Sequence, residues 1–285
     1  LNTFYLLMSG ALVMWMAAGF TILEAGSIRS KNVTEILIKN VALYSVASIS
    51  FLLAGYGIMY GWNPPDDHSM WSDFFFQVVF VATAMSVVSG AVAERKKLWT
   101  FLLFTSIFTA FVYPIQGSWS WGGGWLSERG FFDFAGSGVV HLSGAAAALS
   151  GVLLLGPRIG KYDEDGSPKP IHGSNAAQVT LGTLILWMGW FGFNGGSQLS
   201  ISGFDNANAV AKIFVNTNTA AASGLLSAMV LTKFWLGRVP LNAVCNGALA
   251  GLVVITADPL TPSPYIAIIY GGLGGLIIPL SMSYL

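Results

Sequence analysis

The sequence predicts an all-α polytopic membrane protein, a helical bundle with an inverted repeat, and three observations carry that prediction. Of the 285 residues, 54% are hydrophobic and only 9% charged, where a soluble globular domain carries about 25%, and mean hydropathy is +0.66. Apolar runs of about 20 residues, the length that crosses hydrocarbon as a helix, occur nine times. A short pattern in the first run returns in the sixth. The net charge of zero points away from nucleic acid and acidic substrates. The single cysteine, Cys245, excludes an internal disulfide, and its apolar surroundings give it a packing role.

The runs fall at about 3–26, 36–60, 74–93, 98–117, 136–156, 177–196, 207–232, 241–257 and 265–285. The first begins without an initiator Met or a basic leader, so no signal peptide is recognisable. The third closes on Glu94-Arg95-Lys96-Lys97, a membrane stop with basic anchors. Asp133 precedes the fifth, and Gly195-Gly196-Ser197 ends the sixth. The ninth has no polar tail, so the expectation is a C-terminally incomplete chain that continues for at least two more helices in the natural protein. The 34 glycines suit helices whose backbones approach closely in lipid.

Odd-numbered connections hold Arg29, Lys31, Arg95, Lys96, Lys97, Arg158, Lys161, Lys169, Lys233 and Arg238, while Arg129 and Lys212 fall on the other side. Positive charge stays cytoplasmic, which predicts an outside N-terminus in a plasma or inner membrane. Asp66, Asp67, Asp73, Glu128, Asp133 and Asp205 make the outer face mildly acidic, a polarity that favours cations. Gly10, Leu12, Trp15 and Met16 recur as Gly182, Leu184, Trp187 and Met188. The two runs cross in opposite directions, so a five-span repeat is inverted, with halves at about 1–160 and 172–285 of one domain.

His141 lies within an otherwise uncharged run, and an intramembrane ionisable group usually lines a pathway. Trp121 is followed by three glycines, whose flexible backbone lets an indole face turn toward an opening, and a Trp face is the best side-chain partner for a small cation. Trp119 and Trp125 read as interfacial belt residues. Ser197 offers either a hydroxyl acceptor to a cation or a local backbone bond. Asp133 reads as an N-cap, Glu24 as a structural partner of a neighbouring helix, and His68 and His172 as solvated loop residues. Three scattered histidines and one cysteine supply no metal-ligand spacing. No nucleophile elbow or phosphate loop accompanies them, so neither an enzyme nor a cofactor is expected.

Glu24-Ala-Gly-Ser-Ile-Arg-Ser-Lys31-Asn32, Ser89-Gly-Ala-Val-Ala-Glu94-Arg95, Trp121-Gly-Gly-Gly124, Asp133-Phe-Ala-Gly-Ser-Gly-Val-Val-His141 and Gly189-Trp-Phe-Gly-Phe-Asn-Gly-Gly-Ser197 follow one another along the chain. In these segments the chain resembles the ammonium transporter (Amt/Rh) superfamily, on its Amt branch. The resemblance implies an eleven-helix fold assembled as a homotrimer, each protomer with its own narrow pore for ammonium or ammonia. It implies that Trp121 and Ser197 form the outer substrate site with Asp133 supporting them, that Phe80 and Phe193 guard the pore entrance, and that His141 is the first of two pore histidines. Some members carry a second gating ring one turn after Phe80, where this chain has Ala84, so the expectation is that Phe193 closes the pore alone. The second histidine is expected on a tenth helix. Besides transport, the resemblance admits an ammonium sensor, with a regulatory protein or fused signalling module at the cytoplasmic face.

Overall fold

A computed structural model describes the backbone of residues 1–63 and 65–284. Long apolar helices dominate it: α1 (Asn2–Ser27), α2 (Ser30–Tyr60), α3 (Met70–Ala91), α4 (Leu98–Ser118), α5 (Ser137–Leu155), α6 (Ala176–Gly196) and α7 (Phe204–Leu236), then α8 (Leu241–Ile255) and α9 (Pro264–Tyr284). The last residue of the expected ninth run, 285, lies outside the described residues. Among the described residues, eight helices are long and apolar enough to cross a membrane. The exception is α8, with 15 residues. Its expected end at 257 is not helical, because the carbonyls of Thr256 and Ala257 turn aside and accept from the amides of Ala135 and Phe134 at 3.1 and 2.9 Å. Irregular backbone at membrane depth is tolerated when protein satisfies it in this way.

The surface is that of a protein solvated by lipid. Leu53, Leu153 and Leu154 are 79, 74 and 87% exposed, an arrangement that water would penalise at about 25 cal/mol per Å² of apolar area. The largest buried cluster joins α1, α3, α4 and α6 through Leu6, Met16, Phe76, Phe80, Phe108 and Phe193. α1 lies against α6 with almost no side chain between them. A methyl added to Gly182 would sit 2.6 Å from the Leu23 amide nitrogen and 2.7 Å from the Gly19 carbonyl.

Polar side chains lock both ends. At the end carrying the acidic loops, Asn2 donates to Asp67 at 3.0 Å and accepts from the hydroxyl of Ser202 at 2.8 Å, while Tyr5 donates to the Gly195 carbonyl at 2.5 Å. Deeper in α1, Glu24 meets Lys39 at 2.5 Å and accepts from Ser89 at 2.7 Å. Lys39 is fully buried and Glu24 nearly so, as the reading of Glu24 as a structural partner expects. At the basic end, Glu94 does more than stop a membrane run. Its backbone takes a positive φ of 62°, which turns a fully buried carboxylate to accept from Arg29 at 2.9 Å, Asn32 at 2.5 Å and Arg158 at 3.2 Å. Burial raises the Glu94 carboxyl, but hydrogen bonds led by that from Arg29 outweigh it and hold the group below the ordinary glutamate range.

A depressed folded pKa means that the Glu94 contribution is complete above the ordinary glutamate value of 4.5 and is lost as pH falls through the lower, folded value. Glu94→Gln is therefore expected to cost about 1.5–3 kcal/mol at neutral pH, the range for charge-assisted hydrogen bonds. The deficit against the parent should shrink on acidification below that value, as read by thermal unfolding in detergent. Gly182→Val should lower the midpoint through about 1–3 kcal/mol of overpacking. Gly272→Ala, where an added methyl meets nothing within 4 Å, should leave it unchanged.

Candidate functional site

At the acidic end a cavity of about 380 Å³ opens between α2, α3, the loop after α4 and the end of α6. Tyr56, His68, Asp73, Phe80, Trp121 and Ser197 are among the side chains that line it. Trp121 and Ser197, far apart in sequence, thus share one wall-lined space.

Trp121 is placed by its neighbours on both sides. Its amide donates to the Gly117 carbonyl at 2.9 Å, continuing the last turn of α4, and its indole nitrogen donates to the Asp133 carbonyl at 2.7 Å. The glycines that follow are required by packing rather than by mobility. A methyl on Gly122 would stand 2.3 Å from the Met59 carbonyl, and Gly123 takes a φ of 76° that a side chain resists. Ser197 closes α6 and donates its hydroxyl hydrogen to the Phe193 carbonyl at 2.8 Å. That local bond is the alternative weighed for it above, and it leaves the oxygen lone pairs free to accept. Trp119 and Trp125 are 40 and 46% exposed and pack on each other at 5.8 Å, outside the cavity, as belt residues would.

Asp133 is not the N-cap residue itself, which is Gly136, yet it caps the head of α5 from three residues earlier. Its two oxygens accept from the amides of Gly136, Gly138 and Val139 at 3.0, 2.9 and 2.8 Å. Burial raises its carboxyl pKa, opposed by these backbone hydrogen bonds. The side chain is therefore committed to the helix behind it, and its support of Trp121 runs through its backbone carbonyl.

Beneath the cavity the side chains form a single file. Phe80 meets Trp121 edge-on at 5.9 Å and stacks on Phe193 at 4.0 Å and 29°. Phe193 lies 5.4 Å from the His141 ring, which stacks on Trp190 at 5.0 Å and 18°. Phe80 and Phe193 are both buried to within 1%. The expectation that Phe193 stands alone is corrected, since the second ring is Phe80 itself. At Ala84, α3 runs so close to α5 that a methyl on Gly144 would meet the Ala84 carbonyl at 2.6 Å. His141 sits in a π-helical turn, Ser137–Leu142, a local widening frequent at functional sites. Its Nε2 is buried without a hydrogen-bond partner among the described residues.

His172 is exposed in its loop, as read. His68 is not solvated: its side chain is 8% exposed, with Nδ1 2.6 Å from an Asp67 oxygen. One further network escaped the sequence reading. Trp190 donates to Thr256 at 2.7 Å, and Thr256 donates to Asn194 at 3.1 Å, which donates to Thr217 at 3.0 Å. This buried chain ties α6 to α7 and to the end of α8 directly beside His141. The one sequence signal for it was an Asn set between aromatics and glycines inside a span.

The family model described as the Ammonium Transporter Family matches residues 4–285. The chain is 43% identical to ammonium transporter Amt2 of Archaeoglobus fulgidus, a match covering 95% of this chain and 62% of that relative. It is 37% identical to ammonium transporter 1 member 3 of Solanum lycopersicum, over 95% of this chain and 65% of the relative. It therefore spans somewhat less than two thirds of the length of these two relatives. A solved structure titled Sensor Amt Protein superposes with a TM-score of 0.93 at 36% identity, over 98% of this chain and 74% of that one. Mep2 of Candida albicans superposes with a TM-score of 0.86 at 28% identity, over 98% and 66%. Sequence and fold agree over nearly the whole chain, and it belongs to the ammonium transporter family.

Proposed function

We propose that the protein containing this chain transports ammonium, and that Trp121, Ser197, Phe80, Phe193 and His141 carry the substrate. The observation that carries this reading is the file of groups under the cavity: an indole face and a hydroxyl acceptor above, two stacked rings between, and an unpartnered imidazole nitrogen below. Ammonium is a small cation with four donors that need acceptors once water is stripped. Ser197, its own hydrogen spent on Phe193, can only accept from such a cation, and the Trp121 ring supplies an electron-rich face. A bare charge is too costly to pass between two apolar rings. Proton transfer from ammonium to the His141 imidazole, directly or in relay, as the cation enters the Phe80–Phe193 stack lowers that cost: neutral ammonia crosses and the imidazole passes the proton on, since it donates at one nitrogen while accepting at the other. Potassium has no proton to lose and is rejected. Asp133 positions Trp121 and the head of α5 without contacting substrate.

The same reading places the N-terminus and acidic loops outside a plasma or inner membrane and assembles the protein as a homotrimer. Its two halves, at about 1–160 and 172–285, are related by an inverted repeat, and its task is transport rather than catalysis. A second reading, ammonium sensing, draws on the superposition with the Sensor Amt Protein. Substrate binding without net flux would favour it, through a regulatory partner or attached signalling module.

Ammonium-evoked current from the full-length protein in proteoliposomes tests the reading. Trp121→Leu should raise the half-saturating concentration roughly 2- to 30-fold, the equivalent of about 0.5–2 kcal/mol of cation–π contact, and Ser197→Ala should also raise it. Unchanged values in both would remove the recruitment site from this cavity. His141→Ala should abolish the ammonium current or let potassium share it. Wild-type rate and selectivity in that variant would leave His141 as packing only.

A further inference from the structure

His68 and Asp73 line the same cavity as Trp121 and Ser197, and they face each other across a gap. His68 Nδ1 and Asp67 Oδ1 are 2.6 Å apart, and with the hydrogen on Nδ1 the ring in its uncharged form presents a lone pair at Nε2. Nε2 is buried, without a hydrogen-bond partner among the described residues, and stands 3.9 Å from Asp73 Oδ1. The imidazole is 8% and Asp73 14% exposed. Each acceptor is held from behind. Asn2 donates to the other oxygen of Asp67 at 3.0 Å, and Tyr56 donates to Asp73 Oδ2 at 2.5 Å. The separation of 3.9 Å is too long for a direct hydrogen bond and short enough for one donor to reach both atoms.

We propose that His68 Nε2 and Asp73 Oδ1 form a second cation-holding position in the cavity, occupied before Trp121 and Ser197 by a small monovalent cation that donates hydrogen bonds, ammonium or methylammonium. The proposal rests on the transport reading above. The Asp73 carboxylate supplies charge, and the imidazole nitrogen supplies an acceptor that hard metal cations, which take oxygen ligands, use poorly. The pair thus favours a protonated amine over potassium ahead of the main site. Asp67 and Tyr56 are positioning residues, aiming Nε2 and the Asp73 carboxylate toward each other.

The test measures ammonium-evoked currents of the full-length protein in proteoliposomes. His68→Ala and Asp73→Asn should each raise the half-saturating ammonium concentration about 10- to 150-fold, the equivalent of one charge-assisted hydrogen bond, with maximal current retained. The double variant should be no worse than the weaker-binding single, because both groups hold one ion. His68→Gln, which restores an acceptor, should recover part of the loss. Alongside, the ammonium-dependent rise in Tm of the detergent-purified protein should shrink in His68→Ala, a readout that needs no flux. The proposal is overturned if both single variants saturate like the parent while Trp121→Leu does not. It is equally overturned if they lose maximal current at unchanged half-saturation, the result of a purely structural loop lock. Absence of ammonium current in the parent would overturn the transport reading and this proposal with it.

Discussion

A helix that begins inside a membrane protein must satisfy its first amides without water, and here one carboxylate does so. Asp133 accepts from three amides at the head of α5, and the amides of Phe134 and Ala135 are taken by the unwound end of α8. Lipid could satisfy none of these groups. Because this junction is closed, the π turn behind it is held in place, and with it the direction of His141. The Asp133 carbonyl fixes the Trp121 indole at the same time. Cavity wall and buried imidazole therefore share one anchor, and a change at Asp133 acts on both.

Between those two points lie the stacked rings of Phe80 and Phe193. Phe80 and Phe193 come from α3 and α6, so the stack depends on how closely those helices are drawn to α1. The glycines at the α1–α6 crossing set that distance, since a single methyl there would collide with backbone. Under the proposed transport reading, small residues near the bundle axis control the spacing of a gate several turns away. The Trp190–Thr256–Asn194–Thr217 chain works in the same sense. It pins the helix carrying Phe193 to α7 and α8, and so limits how far the rings can part without breaking buried hydrogen bonds.

Charge is distributed by the same economy. The intramembrane ion pair of Glu24 and Lys39 is buried and further hydrogen-bonded to Ser89, an arrangement in which losing one partner is far costlier than keeping both. Glu94 gathers the basic end in a comparable way. At the acidic end, Asp73 and His68 face each other across 3.9 Å, the geometry on which the proposed second ion position rests.

Hydropathy and charge are one-dimensional quantities, so the sequence by itself determined the class, the nine apolar runs and the asymmetry of basic residues. It also singled out Trp121 and Ser197, which the fold brings to one cavity, His141, whose ring lies against Phe193, and Asp133, whose carboxylate turns to the head of α5 instead. What it left open depended on distance between segments. Ser197 could bond its own backbone or face a cavity, and only the fold shows that it does both. Ala84 suggested a lone ring at Phe193, because the arrival of Phe80 from another helix leaves no local signature. His68 read as solvated since loops usually are, yet Asp67 and the cavity wall bury it. The glycines after Trp121 read as mobile because glycine is permissive, whereas the Met59 carbonyl beside Gly122 and the positive φ of Gly123 make those two obligatory. In each case the deciding contact joins residues far apart in the chain, and such contacts exist only once lipid exclusion and close helix packing have brought the segments together.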